Sequence, residues 1–202
     1  MANLDQRTLD VNARTNQKPE KIDLDVQAND DFQNLRKQWR DRPKYPQLIH
    51  QDEAPLVQFP GQTGRVLLNG DQSGGTVSVF HLTLEPGYHA PNHHQPNEEE
   101  FFYILEGQVE LTIGNKTILA GPGHFGFAPR FCTHAFKGAG TTPSRMLTWN
   151  TPAGHERMFE GAQKLTEKGL GKHGPSRQRN CENHDTFFHD TRRFEDKPSA
   201  AE

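Results

Sequence analysis

Between Leu56 and Asn150 the apolar residues fall in short β-type runs separated by turn residues. That texture constrains the fold more than any other feature. Many short strands at near-regular spacing, each with one face to bury, do so by closing into a sandwich or a barrel. Candidate strands lie at residues 65–68, 76–84, 99–105, 109–113, 117–119, 126–129, 133–136 and 145–149. The breaks between them are residues 70–75, Glu85-Pro86-Gly87, Gly107, Gly114-Asn115 and Gly121-Pro122-Gly123. Val109, Leu111 and Ile113 alternate with Gln108, Glu110 and Thr112, the period of a half-buried strand. An all-β jelly-roll barrel is the predicted fold.

Outside this region the composition changes. Only 32% of the 202 residues are hydrophobic and the mean hydropathy is −0.90, but the deficit sits in the two flanks. The chain is long enough for one core and short for two. The expected division is a polar N-terminal extension at 1–53, the barrel at 54–160, and a helix with a polar tail at 161–202. In the extension, Phe32, Leu35 and Trp39 recur at helical spacing behind Asp30 or Asp31, predicting a short amphipathic helix that Pro43 and Pro46 end. After Thr151-Pro152-Ala153-Gly154, Met158, Phe159 and Ala162 share one face of a second helix running to about Lys168, which residues 169–174 break. Phe187, Phe188 and Phe194 form a small aromatic group in an otherwise polar tail. Both flanks are expected to be dispensable for the barrel.

The formal charge is −3, and no basic stripe interleaved with aromatics suggests nucleic acid. The N-terminal residues lack the apolar core of a secretory signal, and no apolar stretch approaches the ~20 residues that span a bilayer. Cys132 and Cys181 allow at most one disulfide. A cytoplasmic protein with a small-molecule partner, and neither membrane nor nucleic acid, is the expectation.

Histidine carries the chemistry. The chain has 11, and His81, His89, His93, His94, His124 and His134 crowd into the strand-rich region. In a strand, residues two apart share a face, so His93 and Gln95 can point inward together. Glu100 opens the next run with Phe102 and Ile104 on its face, and His134 comes from a separate strand. Two imidazoles and one carboxylate converging beside Phe80, Phe102, Phe127 and Phe136 suit a divalent transition ion and leave coordination positions open. His89 is expected at the rim, and His81 and His124 at the surface or behind the ligands. Glu98 and Glu99 are expected to be solvated, Cys132 a small buried residue, and Cys181, His184 and His189 part of the solvated tail rather than a metal clip.

These residues carry a resemblance. Gly87-x5-His93-x-Gln95-x4-Glu100-x6-Gly107 resembles the first cupin motif, and Gly123-x5-Pro129-x4-His134 the second. The stretches Gly123-His124-Phe125-Gly126-Phe127-Ala128-Pro129, Cys132-Thr133-His134-Ala135 and Thr151-Pro152-Ala153-Gly154 resemble single-domain quercetinase-like cupins. The resemblance implies a cupin double-stranded β-helix that is homodimeric. It also implies one nickel, iron, manganese, cobalt or zinc ion per chain, and an oxygenase acting on a small enol or aromatic, flavonol-like substrate. In that reading His93, Gln95, Glu100 and His134 hold the metal, Glu100 also takes a substrate proton, and Phe80, Phe102, Phe127 and Phe136 line the pocket.

The chain departs from the motifs where Gln95 replaces a histidine, where Phe131 replaces a glycine, and where Lys137 or Gly138 falls in the region of an asparagine. Gln95 either supplies its amide oxygen to the ion or cedes the place to His94 through a local bulge. It also opens two alternatives to the oxygenase: a non-redox isomerase, epimerase, lyase or cyclase, and a ligand-binding protein without turnover.

Overall fold

The computed structural model describes residue 42 and residues 44–168 and 175–189. The helix expected at 30–39, the break at 169–174 and Phe194 lie outside the described residues. A 3-10 turn at Gln51–Glu53 precedes β1 (Leu56–Phe59), β2 (Gln62–Leu68) and a one-turn helix, α1 (Gly70–Ser73). Then follow β3 (Ser78–Leu84), β4 (His89–His94), β5 (Glu99–Glu106), β6 (Gln108–Ile113) and β7 (Lys116–Ala120). The chain continues through β8 (Phe125–Ala128), β9 (His134–Ala139), β10 (Ser144–Thr151), α2 (His155–Glu167), α3 (Pro175–Asn183) and β11 (Phe187–Phe188). Each expected strand is present within a few residues of its place, whereas β1, β4 and β11 were not expected. Among the described residues no helix is long and apolar enough to cross a membrane.

The strands form two antiparallel sheets. The order is β1-β2-β3-β10-β5-β8 in the 6-stranded sheet and β11-β4-β9-β6-β7 in the 5-stranded one. The fold is the jelly roll that the strand pattern predicted, in the double-stranded β-helix form that the cupin resemblance implied. Every second residue of β3 is buried, namely Ser78, Phe80, Leu82 and Leu84, and β10 buries Ser144, Met146, Thr148 and Asn150 in the same rhythm.

Register turns this rhythm into layers. Ser78, Asn150 and Glu100 lie side by side across the larger sheet, and the next inward row is Phe80, Thr148 and Phe102. In the smaller sheet His93 pairs with His134, and Ala90, Phe136 and Leu111 form the row beyond. His93, Glu100 and His134 therefore collect at one end of the barrel, and the rows beyond are mainly apolar. Phe80, Leu82, Leu84, Phe102, Ile104, Val109 and Met146 are sealed from solvent. Burying each such side chain stabilises by about 1.5–3 kcal/mol, so the apolar layer carries the cost of the polar one.

Two turns depend on unusual backbone. Gly107, from the first motif, has φ +70, and a Cβ there would lie 2.9 Å from the Ser144 Cα; only glycine fits. Phe131 has φ 65 in the left-handed region where the second motif has glycine, a conformation that costs a side-chain-bearing residue about 1–3 kcal/mol. The Phe131 N–H donates to the Gln95 carbonyl at 2.9 Å, which ties the turn before β9 to the end of β4.

The tail differs from the solvated segment expected. β11 extends the smaller sheet, with Phe187 opposite His94 and Phe188 opposite His93. Asp185 accepts from the backbone N–H groups of Asn97 at 2.7 Å and Glu98 at 3.0 Å and so braces the loop between β4 and β5. Asn180 Nδ2 donates to the Met158 carbonyl at 3.0 Å, fastening α3 to α2. Cys181 and Thr186 are buried. Sparse apolar residues concealed these contacts, because the tail is held by backbone pairing and a carboxylate cap more than by a hydrophobic face.

Candidate metal centre

His93, Glu100 and His134 come from β4, β5 and β9, so both sheets contribute. One donor atom from each lies within 4.8 Å of the others, and all three side chains are buried. Among the described residues this is the group whose donors converge in this way. His93 Nδ1 lies 2.7 Å from the Pro91 carbonyl and His134 Nδ1 2.9 Å from that of Cys132. A carbonyl can only accept, so each Nδ1 carries the hydrogen and, in a neutral ring, each Nε2 carries a lone pair. His134 Nε2 then faces Glu100 Oε2 at 2.9 Å, acceptor against acceptor. Either a proton on Nε2 or a cation between the two resolves that clash. Backbone-oriented imidazoles with inward lone pairs are the arrangement a metal ligand set needs, and these residues fit a divalent transition ion.

The electrostatics agree with that fit. Burial pushes His93 down to about 3, with the neighbouring His134 adding to the effect. Burial alone would raise Glu100, but the hydrogen bond and charge of His134, then His155 and His93, hold it at about 2. A neutral imidazole beside an ionised carboxylate is the protonation pattern of a ligand set.

Gln95 is 2% exposed and its Nε2 donates to Glu100 Oε2 at 3.0 Å. The amide thus reaches the site by gripping the carboxylate. His94 faces away, its Nδ1 3.2 Å from His189 Nε2 and its ring stacked on Phe187, so no bulge delivers it to the site.

The four phenylalanines separate. Phe136 lines a cavity of about 60 Å³ together with His93 and Glu100. Phe80 and Phe102 are fully buried in the core, although the Phe102 ring meets His134 edge-on at 5.7 Å between centroids. Phe127 is a correction. It points outward, 41% exposed, and stacks on Phe101. Parity explains this, because β8 turns Gly126 and Ala128 inward, and a Cβ on Gly126 would already lie 2.9 Å from Ile113 Cδ1 and Leu111 Cδ2.

Glu98 is a second correction. It is not solvated but 7% exposed, with Oε2 3.2 Å from His155 Nδ1. His155, at the start of α2, lines the same cavity. Burial would lower its pKa, but the Glu98 hydrogen bond and charge, with Glu100 and Glu156, raise it instead. Burial in turn lifts the Glu98 carboxyl against the pull of His155. Neighbouring Glu156 locks the helix start to the barrel, accepting from Gly70 N–H at 2.8 Å and Gly154 N–H at 3.1 Å and from the Ser78 hydroxyl. The signal for His155 was present, because positions 155, 158, 159 and 162 share one helical face and the apolar three were already read as a stripe.

The other histidines and cysteines take lesser places. His89 is exposed but borders the cavity mouth. His124 is exposed, with its ring on the Gly121 backbone, and His81 lies on the far face of β3 across from Arg65 and Leu147. Among the described residues neither cysteine forms a disulfide. Cys181, expected in solvent, is buried against the cavity, while His189 sits outside it with Thr133 at 3.0 Å.

Comparison with known proteins locates this geometry. Residues 80–150 match the family described as "Cupin domain". The polyketide synthase protein CurC of Streptomyces cyaneus is 26% identical over 108 residues, 53% of this chain and 70% of that protein. Quercetin 2,3-dioxygenase of Bacillus subtilis (strain 168) is 25% identical over 96 residues, 48% of this chain but only 28% of that enzyme's own length. Among solved structures, KdgF from Halomonas sp. aligns with a TM-score of 0.48 and 14% identity over 53% of this chain and 94% of that one.

Proposed function

We propose, on the premise of the match between residues 80–150 and the cupin domain family, that the protein is a metal-dependent enzyme that moves a proton on a small enol or enolisable carbonyl compound, as an isomerase, lyase or cyclase does. The observation behind this choice is the buried His155–Glu98 pair, whose His155 lines the same cavity as His93 and Glu100. A divalent ion held by His93, Glu100 and His134 would supply Lewis acidity to a ligand oxygen and so acidify the adjacent C–H. The chain's own residues do the rest. Glu98 holds the Nδ1–H of His155, which leaves His155 Nε2 to take or return the proton. Phe136, Met158 and Phe159 wall the cavity and keep water from the carbanion-like carbon. Glu100 is the second candidate for the proton.

Solvent deuterium uptake tests this reading. Hydroxyacetone in deuterated buffer, with the nickel- or cobalt-loaded protein, should exchange its C–H positions faster than with metal-free protein. His155→Gln should slow that exchange about 100-fold with metal content unchanged. Equal exchange rates in wild type and His155→Gln would remove His155 from the chemistry.

One observation favours oxygenation as a second reading, the match to quercetin 2,3-dioxygenase across 96 residues. Oxygen uptake in step with consumption of a flavonol or other enol, without deuterium exchange in its absence, would establish that reading over the first.

Gln95 is part of the same proposal. Its grip on Glu100 Oε2 orients a ligand, and loss of such an outer contact costs about 10–100-fold in metal affinity. Gln95→Ala is therefore expected to weaken metal binding about tenfold. Gln95→His discriminates: tighter binding means position 95 reaches the ion, whereas no gain means that it acts through Glu100. Chelator competition measures both. The homodimer is also carried forward as a proposal, and sedimentation velocity across a range of concentrations is its test.

A further inference from the structure

The cavity contains a polar group that none of the described residues satisfies. Gln62, the first residue of β2, is 3% exposed and lines the cavity shared with His93, Glu100 and His155. Its Nε2 is buried without a hydrogen-bond partner. Phe59, Leu82, Met158 and Phe159 give the cavity its apolar lining. Gln62 also lies opposite Phe59 in one register and opposite Leu84 in the other. A buried amide without a partner is costly, and a site for a leucine or methionine would be the stable solution there. Asn150 is the instructive contrast. Its amide is also without partners, but it is not among the cavity-lining residues, so no ligand in this cavity would reach it.

We infer that Gln62 is a ligand-recognition residue, donating from Nε2 to an oxygen that the bound molecule carries in addition to the one it presents at the His93–Glu100–His134 end. The ligand class is accordingly a compact carbonyl or hydroxy compound with two separated oxygen functions and an apolar stretch between them. One oxygen would meet Gln62 and the other the His93–Glu100 group, with the carbons against Leu82, Phe136, Met158 and Phe159 of the same lining. The cavity of about 60 Å³ is far smaller than the ~300–1,000 Å³ of pockets for drug-sized molecules, which favours a molecule of a few carbons over a flavonol. The assignment of the second oxygen rests on the proposed metal-dependent function; the unsatisfied donor does not.

The test uses the full-length protein and two probe pairs. Levulinate is compared with valerate, and pyruvate with propionate, so that each pair differs by a ketone oxygen. In cobalt-loaded wild type at least one keto acid should bind about fivefold or more tighter than its partner, because a site built to hydrogen-bond an oxygen rejects the analogue that lacks it. In Gln62→Leu the advantage should disappear while cobalt affinity, read by chelator competition, stays unchanged. The same substitution should raise the thermal midpoint of chelator-stripped protein by about 2–6 °C, since it removes an unsatisfied buried donor. Lower affinity with higher stability is the signature of a group kept for binding. A fall in the midpoint would show that Gln62 is satisfied within the fold, and an unchanged preference for the keto acid would show that it does not touch the ligand. Either result overturns the inference. The stripped-protein arm needs no metal, so failure to bind cobalt would count against the metal reading and leave the Gln62 result standing.

Discussion

Replacing His134 with alanine is expected to lower affinity for a divalent transition ion by about 100-fold or more, with the β-type circular dichroism retained. Outer contacts to metal ligands are already worth about 10–100-fold, and in the proposed site His134 is a direct donor whose loss removes one of three. The side chain is 1% exposed and sits 2.9 Å from Glu100, so its removal also leaves a buried carboxylate held by Gln95 alone. The fold should survive, because β9 keeps its pairing with β4 and β6 through the backbone. Chelator competition with nickel and cobalt gives the number. An affinity within about threefold of wild type would mean that the three-residue group is not an ion site.

Acid lability of the metal-free protein is the second large effect. His93 is held at about 3 against 6.5 in the unfolded chain, and Glu100 at about 2 against 4.5. Both shifts are downward, so below 6.5 the unfolded chain binds a proton at His93 that the folded protein refuses. Below 4.5 the same holds at Glu100. Stability is therefore complete above pH 6.5 and declines as pH falls, at up to about 1.4 kcal/mol per pH unit for each group in its window. Glu98, raised by burial, has the opposite sign and offsets part of the loss above pH 4.5. His155, also raised, adds stability that is lost as pH climbs past 6.5 toward its folded value, so it does not reverse the acid limb. Urea midpoints of chelator-stripped protein should fall steadily from pH 7 to pH 4, and His93→Asn should flatten the upper half of that slope. A midpoint that is level from pH 7 to pH 5 would contradict the buried neutral state of His93. Metal should shift the whole curve to lower pH, since the ion competes with protons for the same atoms.

The three residues whose donor atoms converge were legible because their spacing reflects local geometry. His93 and Glu100 flank one short loop between adjacent elements, and His134 follows a turn marked by proline. Residues whose role depends on distant partners were not legible. Glu98 reads as one more acid in a run of glutamates until His155, 57 positions on, is placed over it. Gln62 is an ordinary polar residue at the head of a strand, and only its lack of a partner in three dimensions sets it apart. β4 escaped notice because its His-Ala-Pro-Asn-His-His sequence has weak strand preference; pairing with β9 on one side and β11 on the other overrides it. Phe127 was misread because hydrophobicity was taken to mean inward. The barrel closes there on Gly126, and the larger neighbours were turned out by the two-residue period.

The tail that pairs with β4 has a consequence in time. Synthesis proceeds from the N-terminus and domains fold as they emerge, so β1 to β10 emerge ahead of residues 175–189. The barrel assembled at that stage holds His93, Glu100 and His134 in place while one edge of β4 is still bare. Phe188 has yet to reach His93, and Asp185 has yet to fasten the Asn97–Glu98 backbone. Order of emergence makes convergence of the three side chains separable from their enclosure, because β11, the last of the described strands, covers the β4 edge.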